Sequence, residues 1–195
     1  MALRICRRQH SEPDFMLFNP FALTSWGASN DEVLRPMAGD DLVDDAMFSA
    51  TRSISIQAPA ANVFPWLRQM GFKRAGWYSY DWIDNLAKQS ARSILPEWQG
   101  LKAGDRIPAG PLWFTASTVD PDRAFCMVQR SRWVSFSLGF ELHPAGEGTR
   151  LVSRARASVN LPGGRLIALW LLKPADGVMV RRQLLGIKER AESLP

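Results

Sequence analysis

Two aspartates set among aromatic residues form the part of this sequence most able to do chemistry. The segment RAGWYSYDWIDN, residues 74–85, contains Asp81 and Asp84 together with four aromatic residues, Trp77, Tyr78, Tyr80 and Trp82. A carboxyl group in an apolar pocket can act as a general acid or base at neutral pH, because burial raises its pKa. Asp81 is therefore a weak catalytic candidate.

Glu97 is the second weak catalytic candidate. It lies between a proline and a tryptophan in LPEWQ, where partial burial would raise its pKa. The alternative is a loop glutamate that accepts hydrogen bonds from nearby backbone amides. Asp105, Tyr78 and Tyr80 are further acid–base groups, and Arg154 could polarise a carbonyl. No histidine or paired carboxylate accompanies them, so the sequence defines no catalytic set.

The helical periodicity of residues 80–88 argues against catalytic aspartates. With Ser79 as the N-cap, a helix is predicted to run to about Lys88. At 100° per residue its apolar residues share one face, and Asp81, Asp84 and Asn85 share the other with Lys88. We therefore expect both aspartates to be solvated, and the apolar residues Tyr80, Trp82, Ile83, Leu86 and Ala87 to face inward.

The composition is that of a globular chain with enough apolar material for a core. It has 195 residues, of which 46% are hydrophobic, with eight Trp and ten Phe. No apolar run approaches the roughly 20 residues that a membrane-spanning helix needs, and no apolar stretch of a secretory signal follows the arginines near the amino terminus. We expect a cytoplasmic protein.

Metal and cofactor chemistry is not expected. The two cysteines, Cys6 and Cys126, are 120 positions apart, and the two histidines, His10 and His143, belong to no metal-binding motif. The sequence therefore predicts a reduced protein without a metal or cofactor.

The charge of +5 is unevenly distributed. Residues 1–50 carry four basic and eight acidic residues, a net charge of −4, whereas residues 51–195 carry 20 basic and 11 acidic residues, a net charge of +9. The acidic stretch 30–45 could fold back on the basic body or stay solvated. The basic residues are scattered singly and no nucleic-acid motif is present, so nucleic-acid binding is not expected.

A strand, a helix and a run of further strands are predicted in this order. Residues 51–57 alternate as a half-buried strand, and Val63, Trp66, Leu67 and Met70 have helical spacing. Pro65 lies in the first turn if the helix begins after Asn62, but kinks it if the helix begins at Pro59. Four further strands are predicted at 112–119, 124–130, 133–142 and 149–159, followed by a helix over about 176–193.

The strand at 149–159 can be oriented in two ways. One face carries Leu151, Ala155 and other small or apolar residues, and the other carries Arg154 and Arg156. If the small residues face a cavity, they leave room for a ligand and the arginines are solvated. If the faces are reversed, the arginines suit an anionic ligand. The apolar run LIALWLL (166–172) is expected to pack in the core, with a ligand, partner or lipid contact as the alternative.

This order of elements resembles that of the SRPBCC superfamily, and five segments carry the resemblance to a bacterial branch of it. They are TRSISIQAPAANVFPWLRQMG (51–71), GWYSYDWIDNL (76–86), ILPEWQGLKAGDRIP (94–108), GTRLVSRAR (148–156) and LLGIKERAE (184–192). The resemblance implies an α+β helix-grip fold, in which a curved antiparallel sheet wraps around a long C-terminal helix, with two short helices after the first strand. It implies no shared catalytic residues.

The resemblance also implies a cavity for a hydrophobic ligand such as a lipid, a sterol or an aromatic polyketide. We expect an acidic, partly irregular extension at 1–50 and the ligand-binding domain at 51–195. The expected function is binding or carriage of such a molecule; the alternative is a polyketide cyclase/dehydratase-like or hydrolytic enzyme.

The candidate ligand-binding residues are mostly aromatic, with Glu97, Gln99 or Arg154 as possible polar contacts. An equally good interpretation of each aromatic residue is that it fills a solid core. The aromatic candidates are Trp66, Trp77, Tyr78, Tyr80, Trp82, Trp113, Phe136 and Phe140.

Overall fold

Alternating apolar side chains build a six-stranded antiparallel sheet with its longest helix on one face. The computed structural model describes residues 24–163, 166 and 173–194. The strand order is β1-β6-β5-β4-β3-β2, and every neighbouring pair is antiparallel. The strands are β1 (Phe48–Ile56), β2 (Arg106–Ala109), β3 (Leu112–Asp120), β4 (Ala124–Arg130), β5 (Val134–Ala145) and β6 (Gly148–Val159).

The helices confirm the predicted α+β helix-grip class. Two short helices, α2 (Ala60–Gln69) and α3 (Asp81–Asp84), follow β1, and the long helix α4 (Lys173–Ala191) follows β6. A five-residue helix, α1 (Asn30–Leu34), precedes the sheet, and 3-10 turns lie at Asp40–Leu42 and Pro96–Trp98. The sequence did not predict β2, whose four residues are too few to show a periodicity. The proposed division of the chain at residue 50 remains a prediction.

Helix α4 covers only part of the inner face, which we define as the face of the sheet that it packs against. Its closest backbone contacts are with β1 and α2. The sequence spacing predicts an apolar stripe of Val180, Leu184, Ile187, Ala191 and Leu194. The first four are buried, whereas Leu194, beyond the last residue of the helix, is half-buried. Gly186 lets the helix approach the loop before α3, because a Cβ there would meet the Tyr78 carbonyl oxygen at 2.2 Å.

Helix α2 begins at Ala60, after the N-cap Pro59, and contains Pro65. Its apolar side follows the predicted spacing, with Val63, Trp66 and Leu67 fully buried. Its backbone lies nearest to β5 and β6, and that of α4 lies nearest to β1. The inner face of β3 therefore lies farther from the helices.

The prediction of a helix over residues 80–88 is wrong in its length and in the side that faces inward. The observed helix ends at Asp84. Leu86 and Ala87 have left-handed backbones with φ of 50° and 60°, which an α-helix cannot continue through. Trp82 and Leu86 are 73% and 77% exposed, whereas the carboxylate of Asp81 accepts hydrogen bonds from the backbone N–H and the hydroxyl of Ser90. A tertiary hydrogen bond thus overrides the amphipathic pattern.

Residues 29–43 cover the outer face of the sheet, opposite α4. Arg150 donates from Nε to Glu32 Oε1 at 2.8 Å, and this hydrogen bond lowers the pKa of Glu32 to about 2. Gly139 on β5 lies so close to this segment that a Cβ would meet the Ala38 carbonyl oxygen at 2.8 Å. The acidic stretch therefore folds back on the basic body, the first of the two possibilities that the sequence left open.

Both orientations predicted for Arg154 are wrong, since its side chain is neither solvated nor directed into a cavity. It is 6% exposed on the outer face. Nε donates to Thr51 Oγ1, and Nη1 donates to Asp40 Oδ2 and the Arg35 carbonyl. Nη2 donates to the Glu32 and Val33 carbonyls, in the last turn of α1. All five N–H groups are used, and the guanidinium caps a helix end whose carbonyls lack partners within the helix.

We predict that Arg154→Lys lowers the free energy of unfolding by about 3 kcal/mol. An ammonium group has three donors and cannot reproduce the planar fork, so buried carbonyls lose their partners. Urea denaturation followed by tryptophan fluorescence measures the change. The control Arg92→Lys affects an exposed ion pair with Glu189 and is expected to change stability by less than about 0.5 kcal/mol. Equal effects of the two substitutions would contradict this assignment.

Candidate functional site

A cavity of about 710 Å³ lies between the inner face of the sheet and the first half of α4. Its volume is within the range of sites that hold a small organic molecule. The sheet contributes Phe114 from β3 and Phe136 and Leu138 from β5, and α4 contributes Met179 and Val180. The remaining wall comes from residues 72–86 and from the turn between β2 and β3.

Three aromatic rings form one wall of the cavity. Trp77 and Phe114 pack edge to face with their ring centroids 5.9 Å apart, and Phe114 and Phe136 do the same at 5.9 Å. Such a set offers both ring faces and ring edges to a flat apolar molecule. The rings come from a loop and two strands, so this wall is a product of tertiary structure.

The loop between α2 and α3 is hydrogen-bonded to α4 beside the cavity. The Ser79 hydroxyl donates to the Met179 carbonyl at 3.0 Å. Gln183 Nε2 donates to the Trp77 carbonyl at 3.1 Å and contacts the sulfur of Met70. These polar side chains line the cavity, but their hydrogen atoms are already used to hold Trp77 and the helix in place.

An ion pair lies at the base of the cavity. Arg52 Nη1 on β1 is 2.7 Å from Asp176 Oδ2 on α4, and the two side chains are 1% and 9% exposed. Burial raises the pKa of Asp176, and the charge of Arg52 opposes this shift. Asp176 also lines the cavity, so a residue that carries a carboxyl group forms part of an otherwise mostly apolar wall.

Asp84 supplies a second carboxyl group to the cavity wall. Within the described part of the chain, its buried Oδ1 has no hydrogen-bond partner. Burial, followed by the neighbouring charge of Asp81, raises the pKa of Asp84 to about 6. A carboxyl group of this kind can accept or donate a proton near neutral pH. The expectation that Asp84 is solvated is therefore wrong for Oδ1, which is buried.

Two of the eight aromatic candidates, Trp77 and Phe136, line the cavity. Three others are buried in the core: Trp66 packs edge to face on Tyr78, whose hydroxyl donates to the Trp66 carbonyl, and Phe140 stacks on Phe125. Their rings are surrounded by protein, because helix α2 packs over this end of the inner face. These three residues correspond to the solid-core interpretation.

The remaining candidates lie away from the cavity. Trp82 is exposed for the reason given above, and Tyr80 is the half-buried N-cap of α3. Trp113 alternates with Phe114 along β3, so its ring points to the outer face, where it lies against the Arg106 guanidinium at 4.7 Å. Arg154 also lies on the outer face.

The weak catalytic candidates do not reach the cavity. Glu97 is exposed in the 3-10 turn Pro96–Trp98, and Asp81 is held by Ser90. The amide of Gln99 donates to the Pro65 carbonyl and to Gln69 Oε1.

Sequence reasoning missed Phe114, Arg52 and Asp176. Phe114 could have been found from the alternation of β3, because it has the opposite orientation to Trp113. Arg52 lies at i−2 and i−4 from Ile54 and Ile56, so the period of two already placed a charge on the apolar face of β1. A charge at such a position requires a buried partner, although its identity could not be read from the sequence.

Fold and cavity together describe a helix-grip protein, the fold that the resemblance implied, with a mostly apolar cavity that is open to the surface. No family model matches the chain, and no curated protein is significantly similar to it. Among solved structures, the chain is similar to the protein MLL2253 from Mesorhizobium loti (15% identity, TM-score 0.48), over 76% of this chain and 99% of that one.

Two further solved structures have comparable similarity. NE0264 from Nitrosomonas europaea has 14% identity and a TM-score of 0.49, over 74% of this chain and 94% of that one. DynU16, from the dynemicin biosynthetic locus, has 15% identity and a TM-score of 0.45, over 74% of this chain and 50% of that one. At such sequence identities and TM-scores, these similarities say nothing about the function of this chain.

The described residues contain neither a membrane-spanning helix nor a metal-binding cluster. Among them, no helix is long and apolar enough to cross a membrane. In the same residues, no group of three or more His, Cys, Asp or Glu side chains is arranged to hold a metal ion.

We predict that Asp84→Asn stabilises the protein at neutral pH. The folded-state pKa of about 6 lies above the ordinary value of 3.8, so the ionised carboxylate costs stability above about pH 6. This cost disappears as the pH falls toward 4. After allowance for partial exposure, the expected gain is about 1 kcal/mol at pH 7.5 and close to zero at pH 4. Urea denaturation at both pH values measures it.

The control for this prediction is Asp81→Asn in the same loop. It weakens the two hydrogen bonds from Ser90 and is expected to destabilise by about 1–2 kcal/mol at pH 7.5. A loss of stability in Asp84→Asn similar to that in Asp81→Asn would mean that Asp84 is an ordinary structural carboxylate.

Proposed function

We propose that this protein binds a hydrophobic small molecule, most simply an aromatic one, in the cavity between α4 and the sheet. The observation that carries the proposal is the combination of a cavity of about 710 Å³ with the wall formed by Trp77, Phe114 and Phe136. Sites that bind small organic molecules are concave, mostly apolar and of about this volume. The aromatic wall gives this cavity the character of such a site.

The rest of the fold supports this proposal, because it is well packed next to the cavity. Trp66, Tyr78 and Phe140 are buried with close ring or hydrogen-bond partners. Gly186 and Tyr78 lie in tight contact on α4. This cavity thus lies beside a well-packed part of the core, at the end of the inner face that carries Phe114 and Phe136.

We predict that filling the cavity abolishes binding of a neutral apolar probe. N-phenyl-1-naphthylamine fluoresces in apolar surroundings and has no charge at neutral pH. Ala109 lines the cavity near its opening, so Ala109→Trp should weaken binding of this probe at least tenfold. Fluorescence titration measures the dissociation constant.

The matched control is Ala103→Trp, which adds the same ring at an exposed position outside the cavity. It should change the affinity less than twofold. Urea denaturation of both variants checks that they fold. Unchanged binding by folded Ala109→Trp, or no binding by the wild-type protein, would contradict the proposal.

Acid–base catalysis on a ligand held in the same cavity is the second candidate function, and Asp84 is the observation that favours it. Asp84 lines the cavity, and its pKa of about 6 suits a general base at neutral pH. A cyclase, a dehydratase or a hydrolase would need such a group. Asp84 therefore takes the place of Asp81 and Glu97 as the catalytic candidate.

We predict that the wild-type protein opens the ring of 5-nitrobenzisoxazole, a reaction that needs only one base near an aromatic substrate. The rate should rise with pH through about 6, since the base acts when deprotonated, and Asp84→Asn should lose at least 90% of it. Absorbance of the phenolate product measures the rate. The control Asp122→Asn removes an exposed carboxylate outside the cavity and should retain the rate. A rate equal to that of free carboxylate in solution would argue for binding alone.

A further inference from the structure

The polar groups of the cavity determine which ligands it can accept. We infer that the cavity selects aromatic molecules whose polar group donates a hydrogen bond, such as a phenol, an alcohol or an amine, and rejects aromatic carboxylic acids. This inference rests on the proposed binding function and names the chemical class of its ligand. It follows from two carboxyl groups and from the donors already used around them.

Asp84 is the first of these carboxyl groups. Its Oδ1 is shielded from water and, among the described residues, lacks a hydrogen-bond partner. Asp84 lines the cavity, and a ligand hydroxyl or ammonium group that reaches its carboxyl group would gain a charge-assisted hydrogen bond. A ligand carboxylate at the same position would bring two negative charges together in a medium less polarisable than water.

Asp176 is the second carboxyl group, and it determines what Arg52 can do. The 2.7 Å contact between them commits the guanidinium of Arg52 to an anion of the protein itself. A ligand carboxylate would have to compete with Asp176 for it at the base of the cavity, where an unpaired buried charge is costly. Arg52 is therefore not a receptor for acids, although it is the most deeply buried cation near the site.

The other polar side chains of the cavity do not reverse this preference. The Ser79 hydroxyl and the Gln183 amide already donate to the backbone. Lys73 lies at the opening, is exposed, and extends over the ring of Phe72 with its Nζ 5.6 Å from the centroid. Water and salt screen its attraction for an anion, whereas the carboxyl group of Asp84 acts inside the apolar space.

The experiment compares three ligands with one ring system: 2-naphthol, 2-naphthylmethylamine and 2-naphthoate. Isothermal titration at pH 7.5 with the full chain gives their affinities. We expect the wild-type protein to bind 2-naphthol or 2-naphthylmethylamine at least tenfold more tightly than 2-naphthoate. Asp84→Asn should reduce that ratio to less than threefold, chiefly by improving the binding of 2-naphthoate.

The control variant Asp122→Asn makes the same change in net charge at an exposed position outside the cavity, and it should keep the wild-type ratio. Equal or tighter binding of 2-naphthoate by the wild-type protein would overturn the inference and leave the proposed function intact. An unchanged ratio in Asp84→Asn would also overturn it. Failure of all three ligands to bind would contradict the proposed function itself, and this inference with it.

Discussion

The buried ion pair between Arg52 and Asp176 is the interaction on which the site depends. It joins β1 to the first turns of α4, beside the cavity. Farther along, the helix is held by apolar packing of Leu184, Ile187 and Ala191. Two opposite charges taken out of water stabilise little in sum, but removing one leaves the other unpaired at a cost of about 3–5 kcal/mol. The pair therefore ties the first turns of the helix to β1 next to the cavity.

The outer face supplies the rigidity that an open inner face requires. Arg150 and Arg154 bind Glu32, Asp40 and the last turn of α1, so residues 29–43 are held against the strands by charged hydrogen bonds. A register shift between Ala116 and Thr118 in β3 bends the sheet on the side of the cavity. The sheet is thus stabilised from outside, while the end of its inner face near Phe114 and Phe136 stays free for a ligand.

Local periodicity predicted the fold well, and tertiary contacts account for what it missed. Alternation along β5 and β6 and the stripe Val180, Leu184, Ile187 and Ala191 are properties of single elements, and they lie where the sequence indicated. The loop containing Asp81 and Asp84 follows no local rule, because a hydrogen bond to Ser90 and the left-handed backbone of Leu86 determine it. Of the proposed ligand contacts, Trp77 and Phe136 line the cavity, whereas Asp84 and Asp176 required the fold to be known.

If an aromatic ligand binds inside this cavity, the position of the ligand can be observed directly. Isotope-filtered nuclear Overhauser spectra of labelled protein with saturating unlabelled 2-naphthol report which protein protons lie within a few ångströms of the ligand ring. We expect cross-peaks from the naphthol ring to Trp77, Phe114, Phe136 and Val180. Cross-peaks confined to the exposed rings of Trp82, Trp113 or Trp133, or none at saturation, would contradict a binding site between α4 and the sheet.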